Sequence, residues 1–326
     1  KRLSACLADY DFRLPKELIA SRPLRQRDAS RMLVLHRQSG QIEHRYFRDF
    51  PQYLRPSDIV VLNDSKVIKA RLLSKDHRFE LLLVEPLGDQ KWVCLVRPGR
   101  KMRPGFTFAI ADAEACIQEV LRDGSRIVKF DREPDLNRFG SMPIPPYLER
   151  EADEGDETSY QTVFAETVGS IAAPTAGLHF TKELLSGIPY TRITLHVGVG
   201  TFLPVKVERV ADHQMHAERY SIGEEAARAI NGAERIVAVG TTSVRVLESQ
   251  PTGPLVPRSS STKIFIYPPF CFGRVGALLT NFHLPKSTLL MLVCAFAGRE
   301  QVLATYAEAI REGYRFFSYG DCMLVV

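Results

Sequence analysis

Between about Arg71 and Phe130 the chain changes texture, and that change does most to narrow its possible folds. The apolar runs here are short and separated by turn residues: Glu80 to Val84, Trp92 to Val96, Phe106 to Ile110, Ala115 to Leu121 and Arg126 to Phe130. Asp123-Gly124 sits between the last two, a strong hairpin signal because glycine takes positive φ freely. Closely spaced short strands of this kind predict a small antiparallel β-barrel. The flanks read differently. Met32 to Leu35 and Ile59 to Leu62 precede it as strands. Ile193 to Val197 and Ile236 to Val239 follow as strands, with helices over Glu224 to Ile230, closed by Gly232, and from Thr241 to Ser249. From Gln301 to Arg311 the apolar positions Val302, Leu303, Tyr306, Ala307 and Ile310 make one helical face, ended by Gly313. Alternating short strands and helices predict an α/β layer. The expected fold is α/β: a discontinuous α/β domain, residues 1–70 and 155–326, with an inserted small antiparallel β-barrel domain, residues 71–154.

A chain of 326 residues is long enough for two substantial cores, and 45% hydrophobic with 25% charged residues is the balance of a globular protein. The longest apolar stretch, Leu289 to Ala297, falls short of the ~20 residues that span a bilayer, so no membrane association is expected. The opening Lys1-Arg2-Leu3-Ser4 shows no apolar signal segment. Cys6, Cys94, Cys116, Cys271, Cys294 and Cys322 are scattered without a Cys-x-x-Cys pair, which points to a reducing cytoplasm and away from zinc or iron–sulfur ligation. The net charge of +5 is concentrated: Lys66 to Arg103 holds 10 basic against 4 acidic residues. Such a face suits a polyanion, since each neutralised phosphate releases counterions. Arg13, Lys16, Arg22, Arg25, Arg27 and Arg31 form a second basic group. Glu149 to Glu157, with six acids and one Arg, reads as a solvated linker or lid, and Thr252 to Thr262 as a polar loop.

Three loops carry the chemistry. Gly169-Ser170-Ile171-Ala172-Ala173-Pro174-Thr175-Ala176-Gly177-Leu178-His179-Phe180-Thr181 is too small and uncharged for ordinary surface and too rich in Gly, Pro and hydroxyls for a core helix. Small residues admit a ligand close to the backbone, and the histidine adds a titratable group there. His196-Val197-Gly198-Val199-Gly200-Thr201-Phe202 and Thr280-Asn281-Phe282-His283-Leu284-Pro285 each follow a strand-like run. Ligands of open α/β sheets collect outside the carboxyl ends of strands. Gly240-Thr241-Thr242-Ser243 turns a strand into a helix, whose free N–H groups suit a phosphate or a carboxylate with Arg245 nearby, or a plain N-cap. No Walker motif is present, nor G-x-G-x-x-G after a strand. Asp212, His213, His216 and Glu218 match no standard metal-ligand spacing, so no metal is expected.

These runs, together with Arg27-Asp28-Ala29-Ser30-Arg31, Asn63-Asp64-Ser65-Lys66-Val67-Ile68, Arg97-Pro98-Gly99-Arg100-Lys101, Tyr160-Gln161-Thr162-Val163-Phe164-Ala165, Gly240-Thr241-Thr242-Ser243-Val244-Arg245 and Arg315-Phe316-Phe317-Ser318-Tyr319-Gly320-Asp321, fall in one order along nearly the whole chain. In that ordered set the chain resembles the S-adenosylmethionine:tRNA ribosyltransferase-isomerase family of queuosine biosynthesis. The resemblance implies transfer and isomerisation of the ribosyl part of S-adenosylmethionine onto the aminomethyl group of a 7-deazaguanine at the wobble position of tRNAs with a GUN anticodon. Epoxyqueuosine, adenine and methionine would be the products, with S-adenosylmethionine a consumed substrate and no cofactor needed. It also agrees with a two-domain arrangement.

The sulfonium acidifies the ribose 5′ carbon, so the reaction asks for a base there and a proton donor near the departing adenine. His179, His196 and His283 have the pKa range for those roles, with Asp321 beside them as an orienting or ribose-binding group. Asn63, Asp64, Thr175, Gly177, Gly198, Gly200, Thr241, Thr242, Ser243, Arg245 and Asn281 are the substrate-binding candidates, and Arg97, Arg100 and Lys101 the RNA-binding ones. Tyr160, Phe164 and Phe180 are candidates for stacking on a base. The chain departs from the family pattern at Lys75-Asp76-His77-Arg78-Phe79, where paired glycines are usual, at Lys66 and Lys69, and at Gly276, where an Asp is usual. Two other readings are a noncatalytic RNA-binding protein and another S-adenosylmethionine-dependent tRNA-modifying enzyme, which adenine release separates. The sequence is silent on oligomeric state, a monomer being the default.

Overall fold

A computed structural model describes residues 6–198, 200 and 205–326. Strands β1 (Arg31–Leu35), β2 (Ile42–Tyr46), β3 (Asp58–Asn63) and β4 (Ser65–Val67) come first. Then follow β5 (Arg71–Leu73), β6 (Glu80–Gly88), β7 (Lys91–Arg97), β8 (Thr107–Ile110), β9 (Ala113–Val120) and β10 (Arg126–Phe130). Helices α1 (Leu136–Phe139) and α2 (Glu154–Ser159) lead to β11 (Thr167–Ser170), α3 (Lys182–Ser186), β12 (Tyr190–Leu195), β13 (Glu218–Ile222) and α4 (Glu224–Asn231). The chain ends through β14 (Arg235–Val239), α5 (Gly240–Glu248), β15 (Arg258–Thr262), β16 (Val275–Asn281), α6 (Thr288–Ala297), α7 (Arg299–Arg311) and β17 (Cys322–Val325).

Among the described residues, nine strands form a mixed sheet in the order β15-β13-β12-β3-β14-β16-β17-β1-β2. Its centre, β12-β3-β14-β16, is parallel. Parallel strands covered on both faces need continuous apolar sequence, and β3, with Ile59, Val60, Val61 and Leu62, is buried throughout. Successive residues point to opposite faces. Val61, Ala238 and Leu278 pack on one side with residues of α4 to α7, while Val60, Leu62, Val239 and Leu279 meet Phe47, Phe50 and Phe180 on the other.

The six strands β5-β6-β7-β10-β9-β8 form an antiparallel sheet drawn wholly from the stretch between β4 and α1. Leu81, Leu83, Cys94, Ile117, Val128 and Phe130 fill its concave face, and Gly124, at φ +88°, closes the expected hairpin. A small antiparallel barrel was expected; the sheet is a curled antiparallel half-barrel. The physical reason lies at β5, whose outer edge is taken by Ser141: Arg71 and Ser141 exchange backbone hydrogen bonds of 3.2 and 2.9 Å. That pairing leaves β5 unavailable to β8.

Three local expectations need correction. The polar stretch Thr252 to Thr262 contains the edge strand β15, paired antiparallel with β13. On α7 it is Thr305 and Ala309 that are buried with Val302 and Tyr306, while Ala307 is exposed. The acidic stretch is no free linker. Asp156 is 1% exposed, takes both Nη atoms of Arg150 at 2.6 and 2.7 Å, and accepts the Tyr319 hydroxyl at 2.7 Å.

Candidate active site

Because β12, β3, β14 and β16 run parallel, their carboxyl ends lie side by side and deliver the loop residues to one edge of the sheet. β14 ends in Gly240, whose φ of +82° makes the sharp turn into α5. β16 ends in Asn281, followed by Phe282 and His283. Between these ends a cavity opens, lined by Gly240, Thr241, Thr242 and Arg245 of α5, by Thr280 to Leu284, and by Ala172 to Ala176. Tyr147, Tyr160, Phe317 and Ser318 complete its wall. Of the residues singled out in the sequence, Thr175, Thr241, Thr242, Arg245, Asn281 and His283 meet here.

Arg245 is the cavity's buried charge, 5% exposed. Its Nη1 donates to Glu218, which also accepts the Gly198 amide at 3.0 Å, while Nε and Nη2 are buried without a partner among the described residues. An unsatisfied buried guanidinium costs free energy, and an anionic group brought to it recovers that cost. The start of α5 adds the positive end of a helix dipole. Ser243 does not share in this; its hydroxyl turns back to Val239 O at 2.8 Å.

The three histidines separate. His283 lines this cavity, with Nε2 2.7 Å from the Thr280 hydroxyl. The Thr280 hydroxyl also lies 3.3 Å from Asn281 O, and Nδ1 of His283 has no partner among the described residues. His179 faces a second cavity, beside the first, and both ring nitrogens are engaged: Nε2 with Asn281 Oδ1 and Nδ1 with Ser30 Oγ, each at 2.9 Å. Asn281 donates its amide to Phe317 O and Ser318 O, so its Oδ1 must accept, which puts the His179 proton on Nε2. His196 lines a third, more open groove with Arg219 and Ser259 to Ser261, its Nδ1 3.0 Å from Ser65 Oγ. Burial lowers the pKa of all three imidazoles, to about 3 for His283, with Arg219 adding to the effect at His196. All three are therefore neutral at pH 7.

Other candidates hold the frame. Asn63 accepts Leu195 N and Ser65 N and donates to Leu195 O and Thr242 Oγ1, so its amide is spent tying β3 to β12. Asp64 accepts the Thr194 hydroxyl at 2.6 Å, and burial raises its pKa. Both oxygens of Asp321 are taken by the backbone amides of Arg31 and Arg315 at 2.8 Å, so its carboxylate closes a loop. A Cβ on Gly177 would sit 2.7 Å from Phe164, so that glycine serves packing, and Gly200 lies against His216. Val199 and Thr201 to Pro204 of the same loop lie outside the described residues. Phe164 and Phe180 belong to the core; Tyr160 alone of the three expected stackers reaches the cavity wall. Arg97, Arg100 and Lys101 are exposed at and beyond the end of β7. The Asp212 to Glu218 cluster dissolves, with Glu218 paired to Arg245 and His213 against Phe265. At Gly276 the Arg235 side chain fills the room a Cβ would need, 2.6 Å away, and reaches Asp58.

Arg27, Glu218, Tyr147 and Ser318 were not foreseen in these positions. The Arg27 guanidinium donates to Gln161 O, Leu178 O and Thr158 O, and Gln161 brackets both backbone groups of Val67. Arg27 thereby positions the turn that carries Thr175 and His179.

The chain matches the family described as queuosine biosynthesis protein over residues 7–325. It belongs to that family. Relatives named S-adenosylmethionine:tRNA ribosyltransferase-isomerase include that of Heliobacterium modesticaldum, 48% identical over 342 residues, covering 98% of this chain and 99% of the relative. That of Thermotoga maritima is 48% identical over 336 residues, with 98% and 99% covered. A crystal structure of S-adenosylmethionine tRNA ribosyltransferase from Thermotoga maritima is similar at a TM-score of 0.56 and 40% identity, covering 98% of this chain and 100% of that one. No single described helix is long and apolar enough to cross a membrane.

Proposed function

We propose that this member of the queuosine biosynthesis family is an S-adenosylmethionine:tRNA ribosyltransferase-isomerase. It transfers the ribosyl part of S-adenosylmethionine to the aminomethyl group of a 7-deazaguanine at the wobble position of tRNAs with a GUN anticodon, rearranging it to the epoxycyclopentane of epoxyqueuosine. Adenine and methionine leave. The observation that carries this reading is the near end-to-end match to relatives bearing that name, at 48% identity.

The cavity between β14 and β16 suits the sulfonium substrate. Arg245 and the α5 N-terminus are a receptor for the methionyl carboxylate, and Thr241 and Thr242 offer hydroxyls at the same place. His283 lines that cavity with an open nitrogen, which makes it the first candidate to move a proton there. The attacking group is the amine of the base itself, so the protein needs no nucleophile or metal, and S-adenosylmethionine serves as substrate with no cofactor beside it. His196 and Asp64 stand farther along the same sheet edge, where the ribose or the RNA can reach them. Arg97, Arg100 and Lys101 are exposed cations for RNA phosphates. Cytoplasmic tRNA and scattered thiols fit the same setting. The division into an α/β domain, residues 1–70 and 155–326, and an inserted domain, residues 71–154, fits the strand order, because the nine-stranded sheet draws on both flanks.

The test incubates the protein with S-adenosylmethionine and an anticodon stem-loop carrying the aminomethyl deazaguanine. Adenine is followed by chromatography and RNA by mass spectrometry. Equimolar adenine and a ribosyl-sized mass gain are the expected result. S-adenosylhomocysteine instead would make the protein a methyltransferase, and RNA binding without either product a binder.

A further inference from the structure

The reaction joins two substrates at one carbon, so the place that receives the RNA base must adjoin the nucleoside cavity. One neighbouring cavity meets that condition. It shares Ser318 with the first, and the two are divided by the His179–Asn281 pair, His179 facing one and Asn281 the other across a 2.9 Å hydrogen bond. Resting on the functional reading above, we propose that this second cavity receives the extruded target base of the RNA.

Its chemistry fits a purine-like heterocycle. Thr158 and Ser159 line it with hydroxyls that can meet the donors and acceptors on a guanine-type edge, while Tyr319 lines it with its hydroxyl already given to Asp156. Leu24, 37% exposed at the mouth, supplies an apolar surface for a ring face. Arg25 is exposed beside it, so the rim carries a guanidinium group where a flanking phosphate of an extruded nucleotide would lie. Among the described residues, no carboxylate lines this cavity. Bases acted on by enzymes leave the stack and are read by edge hydrogen bonds and stacking, which is what this lining offers. The placement also assigns work to the N-terminal basic group, which is separate in sequence from Arg97, Arg100 and Lys101.

Two variants of the full chain test it, Thr158→Trp, which fills the cavity from an exposed helix position, and Arg25→Glu. The readouts are S-adenosylmethionine affinity without RNA, by calorimetry, and affinity for three stem-loops by anisotropy: aminomethyl-deazaguanine, unmodified and abasic at the wobble position. The parent should bind the base-bearing stem-loops more tightly than the abasic one. Thr158→Trp should abolish that preference and leave S-adenosylmethionine affinity within twofold. Arg25→Glu should weaken all three stem-loops about tenfold at low salt, and less at high salt. Should Thr158→Trp not fold, shown by its circular dichroism, Thr158→Phe takes its place. An unchanged base preference in the filled variant overturns the proposal, and so does a loss of S-adenosylmethionine affinity equal to the loss for RNA, which would put the nucleoside there. A parent that releases no adenine would instead overturn the functional reading, and the binding readouts would still decide this one.

Discussion

At the scale of single residues the site is built from neutral imidazoles that differ in what their nitrogens still have free. His179 has spent both on Ser30 and Asn281, so it shapes the wall between two cavities, whereas His283 keeps Nδ1 open in the first. Burial lowers the pKa of each below the usual 6.5 or so. A histidine acting as base is active when deprotonated, so lowering its pKa extends activity toward acid. The acid limb of kcat for adenine release should therefore fall clearly below pH 6.5, and a limb at or above that value would exclude these histidines as the base. His196 depends on a glycine for its place. Gly169 has φ +143°, and a Cβ there would come within 2.9 Å of the His196 ring. Gly169→Ala should cost about 1–3 kcal/mol in denaturant unfolding, from backbone strain and displaced imidazole together, and should lower adenine release further than its stability loss explains.

At the scale of elements, the acidic segment leading into α2 is a strap held by charge. Arg150 pairs with Asp156, Arg22 with Asp153, and the Tyr319 hydroxyl reaches Asp156 from the loop that also supplies Ser318. The Arg150, Tyr319 and Asp153 backbone donors together overcome burial and hold the Asp156 carboxyl down at about 2. A carboxyl depressed in the folded state contributes stability that is complete above its unfolded pKa of about 3.9 and is lost as the pH falls through the folded value. Asp156→Asn, which leaves Arg150 partly buried without its partner, should lose roughly 3 kcal/mol at pH 7, with the gap to the parent narrowing as the pH is taken toward 2. The parallel core strands were legible in the sequence because burial on both faces demands continuous apolar runs, as in β3 and β14. The strap was not, since six acids in nine residues look the same whether solvated or locked by one arginine. β15 was hidden for a related reason: Arg258-Ser259-Ser260-Ser261-Thr262 has no apolar alternation and is a strand only through its pairing with β13. In the site, Thr241, Arg245, Asn281 and His283 could be found because each lies at or after the carboxyl end of a strand. Asn63, Ser243 and Asp321 are polar residues in similar places, and only the fold tells that their polar atoms are spent on holding the frame. Tyr147 and Ser318 come from irregular segments with no periodic signal at all.

At the scale of the whole molecule, the proposed function divides between the two larger sheets, one for a small substrate and one for a large one. The nine-stranded sheet collects its polar loops at one edge, where a guanidinium with two unsatisfied nitrogens and neutral histidines suit a small cationic nucleoside with an anionic tail. Most of the cationic excess lies elsewhere, in the stretch Lys66 to Arg103 that runs from β4 through β7 into the turn after it. Arg97 exposes 80% of its side chain and lies 4.0 Å from Glu80, so its charge is only loosely engaged. Exposed cations of this kind contribute to RNA affinity through counterion release, at about 0.7 in the logarithmic salt slope for each single-strand phosphate neutralised. Replacing Arg97, Arg100 and Lys101 together by alanine should therefore weaken anticodon stem-loop binding at low salt and flatten the slope of log K against log salt by about 2. S-adenosylmethionine affinity should stay within twofold, because these side chains do not line the nucleoside cavity. Anisotropy titrations across a salt series read the slope directly. An unchanged slope would move the phosphate contacts off the half-barrel, and the N-terminal arginines would then be the cations to replace.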